Sequence, residues 1–337
     1  MSDARDSIVD VAVIGGGPVG LHATNKAALM NHSVIVFDAG QRYSRVLFVP
    51  RIDNLPGIVE SISGRELLKR MRVQLQAHGA KVRILDETRV AGVERKGDLF
   101  VLRCEKLKNK TVTGTSEHIA RSIVIATGNI DRQPEIDGSI RPILPYADRG
   151  IAIYCILCDG HTLPGKTVAV IGHTDESAWV AIHASKFAKK VTLLTHGKRL
   201  FEGDVVDNKR RQETVKAMDR AGIEVVGSEI KELFGLKEDL FGVKLADGSE
   251  LKFDRGLVAL GFFKVQNEVA IEMGAKLSSD GFVETDDDMR VLDKRGDPIL
   301  GVYAVGDITT DWKQIPVGWG DAETAILHIH AEYLWKD

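Results

Sequence analysis

The sequence predicts an α/β protein built from two Rossmann-like nucleotide-binding domains of the three-layer ββα type, the second inserted into the first. Three observations carry this. A strand, a glycine turn and a helix open the chain; the same outline returns near its middle; and two further apolar strands, ending at Gly128 and Asp307, bracket the second copy. With 337 residues the chain suits two domains, each able to bury a core.

In chain order, residues 8–14 are an apolar strand, 21–30 have the composition of a helix, and 34–37 form a second apolar strand, which together make a β-turn-α-β unit. Residues 93–120 hold short apolar runs separated by turn signals at Lys96-Gly97 and Gly114, as in a small antiparallel meander. A strand over 122–128 ends in Ala126-Thr127-Gly128. The second unit reads as a strand over 167–171, a turn at Gly172, a helix from about Ser177 and a strand over 191–194. Further strands flank Asp247-Gly248, and a strand over 301–307 ends in Gly306-Asp307. The economical division is one discontinuous domain, 1–133 with 263–337, and an insert over 134–262 that carries the second dinucleotide unit.

Composition excludes several classes. Hydrophobic residues at 44% and charged residues at 28% are the balance of a globular chain. Lys and Arg total 45 against 48 Asp and Glu, with no basic stripe, so nucleic acid is not an expected partner. No apolar run approaches the roughly 18 residues of a membrane span. The acidic start is unlike a secretory signal, and a cytoplasmic address is expected. Three cysteines are too few for a secreted disulfide framework, so a close pair among them reads as redox-active or metal-binding.

Gly15, Gly17 and Gly20 in Gly15-Gly16-Gly17-Pro18-Val19-Gly20 fit G-x-G-x-x-G between a strand and a helix. Bare backbone there lets a pyrophosphate approach, and the helix start supplies N–H donors. Asp38, at the end of the next strand, stands where a carboxylate accepts hydrogen bonds from ribose hydroxyls. Cys155 and Cys158 form C-x-x-C, a spacing that closes a small disulfide. Zinc is the rival reading, because His161 extends the pattern to Cys-x-x-Cys-x-x-His, although a fourth ligand is not evident. Cys104 reads as a small buried hydrophobe.

These motifs, with Asn54-Leu55-Pro56-Gly57, Ala126-Thr127-Gly128, Cys155-Ile156-Leu157-Cys158-Asp159-Gly160 and Gly306-Asp307 in this order, resemble low-molecular-weight thioredoxin reductases over nearly the whole chain. The resemblance implies FAD. Its pyrophosphate would lie at Gly15, Gly17, Pro18 and Gly20 and its adenosine ribose at Asp38. Further contacts would come from Gln41, Asn54, Thr127, Gly128, Gly306, Gln314 and Ile315, with Asp307 on the ribityl chain. It also implies that Cys158 exchanges electrons with the flavin, Cys155 attacks the disulfide of a thioredoxin-like protein, Asp159 carries the proton, and the enzyme is a homodimer.

Two departures set the chain apart from NADPH-using members. After Val170-Ile171-Gly172, His173, Thr174, Asp175, Glu176 and Ser177 replace the glycines of the second cradle, which puts side chains and carboxylates where a pyrophosphate needs bare backbone. The arginine pair that would grip a 2′-phosphate is replaced by Thr195-His196-Gly197-Lys198-Arg199. The chain is therefore expected to lie in a branch independent of pyridine nucleotide, with reduced ferredoxin or a second FAD as donor. Trp312 and Trp319 are candidates to stack on a second flavin, and Trp335 reads as core or interface. NADPH-dependent thioredoxin reductase is the alternative, and a flavin-bound redox sensor without turnover is the reading from another class.

Overall fold

The computed structural model describes residues 8–40, 45–109 and 111–334. The chain splits into two compact units. The first comprises Met1–Leu47, Ser63–Ile130 and Lys264–Asp337, and the second Phe48–Ile62 and Asp131–Phe263. The second unit thus also gathers Phe48–Ile62, expected from sequence to belong to the discontinuous domain. A backbone bridge between Ile52 and Ile62 and the burial of Leu55 shape that segment.

In the first unit, β1 (Val9–Ile14), α1 (Pro18–Leu29) and β2 (Val34–Phe37) form the expected β-turn-α-β. Val11, Val13, Val34 and Val36 are fully buried, as unbroken β-branched runs must be in parallel strands covered on both faces. Helix α2 spans Gly64–Gln76. Strand β3 (Thr111–Ile125) pairs parallel to β1, with Val11 opposite Ser122. The path through the eight-stranded sheet runs Val82–Leu85, β2, β1, β3, Pro298–Ala304, Arg290–Leu292. The meander differs from expectation. Its turn follows Lys108 rather than falling at Gly114, and β3 continues straight into the strand expected separately at 122–128. Gly114 pairs with Lys106 inside the ladder formed with Leu99–Lys108, so ladder pairing overrides a lone glycine that sequence rules read as a break.

In the second unit, α3 (Ile156–Asp159) is one short turn that begins at the cysteine pair. Strand β4 (Thr167–Ile171), α4 (Asp175–Ala184), β5 (Lys190–Leu194) and α5 (Asn208–Arg220) follow. The five-stranded parallel sheet is ordered Glu224–Val226, β5, β4, Arg255–Val258, Ala152–Ile153. Its β4–β5 register sets Val168 opposite Val191. Three antiparallel strands, Ile230–Phe234, Phe241–Leu245 and Glu250–Phe253, form a separate sheet that includes the pair expected around Asp247-Gly248.

Candidate active site

The glycine turn of the first unit is packed as tightly as its residue types allow. A Cβ on Gly15, whose φ is +125°, would lie 2.3 Å from the Ala126 carbonyl oxygen, and one on Gly20 would lie 2.0 Å from the Gly15 carbonyl oxygen. Gly16 lets the Asp38 carboxylate rest against the turn, where a Cβ would meet Oδ2 at 2.4 Å. Gly17 is the N-cap of α1 and Pro18 its first residue. No side chain among the described residues caps that end, and no acid sits in the first turn. The first-turn donors of α1 are therefore left for an anion.

Asp38 is buried. Its Oδ1 accepts from the Gly40 N–H at 2.9 Å, and its Oδ2 accepts from Arg72 of α2, which also donates to Asp86 at 2.8 Å. Asp307 accepts from Arg45 at 2.9 Å. Beside it, buried Asn129 donates through its side-chain amide to the Asp307 carbonyl at 3.2 Å, while Asn129 Oδ1 has no hydrogen-bond partner. An uncapped helix start, a carboxylate closing β2 and an open buried acceptor beside Asp307 suit a dinucleotide with a polyol chain. Thr127 donates its hydroxyl to the Gln266 carbonyl at 2.6 Å. Gly128 and Gly306 both adopt positive φ, at +66° and +77°. Ile315 begins the long helix Ile315–Leu334, with Gln314 just before it. Gln41 and Trp335 lie outside the described residues.

The two tryptophans are not alike. Trp319 stacks on His22 with ring centroids 5.2 Å apart and donates its indole N–H to the Pro18 carbonyl at 3.1 Å, so the first unit already uses that ring. Trp312 is 64% exposed.

In the second unit Cys155 and Cys158 are joined in a disulfide with their Cα atoms 5.2 Å apart. Cys155 caps α3, its sulfur accepting the Cys158 N–H at 3.1 Å. The Asp159 backbone is fixed by its N–H on the Cys155 carbonyl at 3.0 Å and by the Thr162 hydroxyl on its own carbonyl at 2.7 Å. Burial pushes the Asp159 carboxyl up to about 6, against the opposing influence of His161. A carboxyl raised in this way changes charge nearer neutrality than an ordinary one. His161, which completes Cys-x-x-Cys-x-x-His, directs Nε2 to Asp53 at 2.9 Å. Among the described residues no group of three or more His, Cys, Asp or Glu is arranged to hold a metal. Asn54 stands on the same segment as Asp53. Cys104 is buried, which pushes its thiol up to about 12.

The start of α4 is the opposite of the start of α1. Thr174 and Ser177 form a reciprocal capping box, and Asp204 Oδ2 accepts the Asp175 N–H at 2.6 Å. The Asp175 carboxylate, expected at the anion site, is instead buried, accepting from Arg210 Nε at 2.8 Å and from the Thr214 hydroxyl. The anion at this helix start is Asp204, which no motif announced. Arg45, Arg72 and Asp53 were missed likewise, since each acts on a residue far away in sequence.

A glycine turn of the dinucleotide type and a Cys-x-x-Cys disulfide followed by a carboxyl point to one class, a nucleotide-dependent disulfide oxidoreductase. The profile of the family described as pyridine nucleotide-disulphide oxidoreductase matches residues 9–322, and the chain belongs to that family. Thioredoxin reductase of Treponema pallidum is 25% identical over 327 residues, covering 96% of this chain and 97% of its own. That of Aquifex aeolicus is 28% identical over 309 residues, covering 90% of this chain and 86% of its own. The crystal structure of thioredoxin reductase from Streptococcus pyogenes superposes with a TM-score of 0.78 at 25% identity, covering 99% of this chain and 100% of that one. The chain is an enzyme, a flavoprotein disulfide oxidoreductase of the thioredoxin reductase-like kind. Membership implies FAD. The expected branch independent of pyridine nucleotide finds no support in these matches. Among the described residues no helix is long and apolar enough to cross a membrane.

Proposed function

We propose that the enzyme exchanges electrons between FAD and the Cys155–Cys158 pair and passes them to the disulfide of a thioredoxin-like protein. Residues 1–133 and 263–337 would bind FAD, and 134–262 would form an inserted NAD(P)-like domain. The observation that carries the reading is the Cys155–Cys158 disulfide with Asp159 beside it, its carboxyl raised into the range of useful proton exchange. The names of the relatives support thioredoxin as partner.

The tight glycine turn, Asp38 and Asp307 of the first unit support the cofactor assignment that the resemblance implies. The turn at Gly15, Gly17, Pro18 and Gly20 would receive the pyrophosphate, Asp38 the adenosine ribose and Asp307 the ribityl chain. Bound FAD supplies a two-electron store. The chain's own part is to open and close a sulfur–sulfur bond. Opening it takes two electrons and two protons and leaves two thiols, and Asp159 delivers a proton to the departing sulfur. Cys155 is the sulfur assigned to attack the partner's disulfide, and Cys158 the one assigned to the flavin. Anaerobic enzyme reduced by light should reduce a thioredoxin disulfide. Cys155→Ser should abolish that transfer while leaving the bound flavin reducible. Undiminished transfer by Cys155→Ser would refute the reading, and a photoreduced wild type unable to reduce the disulfide would favour the redox sensor.

The family's description supports a pyridine nucleotide as electron donor, here taken as NADPH. A second reading, in which reduced ferredoxin or a second FAD is the donor, is favoured by one observation: Asp204, Thr174 and Ser177 occupy the donors at the start of α4 that a pyrophosphate would need. Trp312 remains a candidate to stack on a second flavin, whereas Trp319 would first have to leave His22. Stoichiometric NADPH added without oxygen separates the two readings. Rapid bleaching of the flavin supports NADPH, and a flavin left oxidised supports the other.

A further inference from the structure

Leu157 stands between the two cysteines, and it is 61% exposed although α3 is otherwise drawn into the second unit by buried Ile156. Gly160, three residues on, falls on the same side of the turn, as i and i+3 do on a helix. Its φ of −53° and ψ of −35° suit any residue, so glycine is needed there for space and not for conformation. Phe187 takes that space. A Cβ at Gly160 would lie 3.0–3.1 Å from three carbons of its ring, which therefore rests against the backbone beside the disulfide turn. The rest of the ring is in water, leaving Phe187 43% exposed.

The backbone around Phe187 is tied down. Its N–H donates to the Ala184 carbonyl at the end of α4 at 3.0 Å, the Ala188 N–H donates to the same carbonyl at 2.9 Å, and the Lys189 N–H donates to the Lys166 carbonyl at 2.8 Å. A backbone bridge between Pro164 and Ala188 adds to this corner. The ring is thus presented in place, and little order has to be gained on binding. An aromatic ring pinned on one side and wet on the other suits an apolar pocket of a partner. The corner is also basic. Lys186 and Lys189 flank Phe187, both exposed, and no described residue forms an ion pair with either, whereas Lys190 is held by Glu224 at 3.1 Å.

We propose that Leu157 and Phe187, rimmed by Lys186 and Lys189, are the docking surface for the protein whose disulfide the Cys155–Cys158 pair opens, and that this partner is a thioredoxin-like protein with an acidic face. This rests on the reading of that pair as the electron-exchanging centre. The apolar side chains supply the anchor, and the lysines steer and orient a partner of opposite charge. A second copy of this chain is the poorer occupant, because a twofold contact through the same patch sets lysines against lysines.

The test uses the full-length FAD-loaded enzyme, reduced by light without oxygen, and follows its reaction with increasing concentrations of an oxidised acidic thioredoxin. The Cys155–Cys158 dithiol gives two electrons and two protons to the thioredoxin disulfide, one sulfur–sulfur bond closing as the other opens. Bis(2-hydroxyethyl) disulfide, small and uncharged, is the comparison substrate. Phe187→Ala should raise the half-saturating thioredoxin concentration about tenfold or more, with the loss confined to the protein substrate. Phe187→Leu, which keeps an apolar side chain, should recover most of it. Added salt should raise the wild-type value, and the double substitution Lys186→Glu, Lys189→Glu should raise it at low salt and remove that dependence. Both lysines are exposed, so the charge arm stands even where Phe187→Ala folds poorly. Half-saturation unchanged in either variant, or a loss shared equally by the small disulfide, overturns the proposal. So does a changed oligomeric state of Phe187→Ala in sedimentation, which would assign the surface to a second copy. Failure of the electron-exchange reading shows separately, as a wild type that leaves thioredoxin oxidised or as transfer that survives Cys155→Ser.

Discussion

Replacing Gly20 with alanine sets two effects of opposite sign against each other. Gly20 lies inside α1, and glycine in a helix costs up to about 1 kcal/mol relative to alanine, so local propensity alone makes the variant more stable. Packing says the reverse. The new methyl would lie 2.0 Å from the Gly15 carbonyl oxygen and 3.3 Å from Val13 Cγ1, and the first of these is backbone that no rotamer change can clear. An ordinary carbon–oxygen contact requires the helix start to retreat by more than 1 Å from the turn, roughly the displacement at which overpacking costs about 1–3 kcal/mol or more. The expected net effect is a loss of about 1–2 kcal/mol. Because the displaced elements form the proposed FAD cradle, FAD affinity should fall about tenfold for each 1.4 kcal/mol of distortion. Urea unfolding of the flavin-free protein reads the first quantity, and flavin retained through gel filtration reads the second. A variant that is more stable than wild type and keeps its FAD would refute the packing argument, leaving Gly20 as a helix residue of poor propensity.

Three further outcomes follow from the second unit and the core. Asp204→Ala removes the anion from the start of α4 and should cost about 1 kcal/mol in urea; an unchanged midpoint would mean that water serves the Asp175 N–H equally well. Burial lifts Asp159 from the ordinary 3.8 to about 6, so between those values the folded state binds more protons than the unfolded. This group's contribution to stability is greatest below the unfolded value and is lost as pH rises through about 6. Asp159→Asn should accordingly be more stable than wild type by about 2 kcal/mol near about pH 8, allowing for partial exposure, and no more stable below about pH 4. A stability difference that stays flat across that range would contradict the burial argument. Finally, alkylation of the reduced native protein should label Cys155 and Cys158 but leave Cys104, which should react only on unfolding.

The elements that the sequence places correctly are those whose cause is local. The strands Val34–Phe37 and Thr167–Ile171 fell where unbroken apolar runs placed them. The loss of glycine after Gly172 was also visible, but its consequence was misjudged. Asp175 looked like an anion facing the nucleotide, yet Arg210 and Thr214 of α5 draw it inward and bury it. Gly114 looked like a turn and is a ladder residue. Trp319 looked free to stack on a cofactor and is occupied by His22 and the Pro18 carbonyl. In each case a partner brought by folding outweighed the preference of the residue itself.

By itself the sequence determined the glycine cradle, the cysteine pair with its carboxyl and the α/β alternation, because turn chemistry, helix starts and a three-residue sulfur spacing are contained within a few consecutive positions. The tertiary structure alone decided which charges serve those motifs. Arg72 meets Asp38 across 34 positions, Asp204 reaches the Asp175 N–H across 29, Asp53 holds His161 across 108, and Arg45 reaches Asp307 across 262. Coulombic and hydrogen-bond partners are chosen by distance in space, and no local rule of the chain encodes that distance until the sheets have formed.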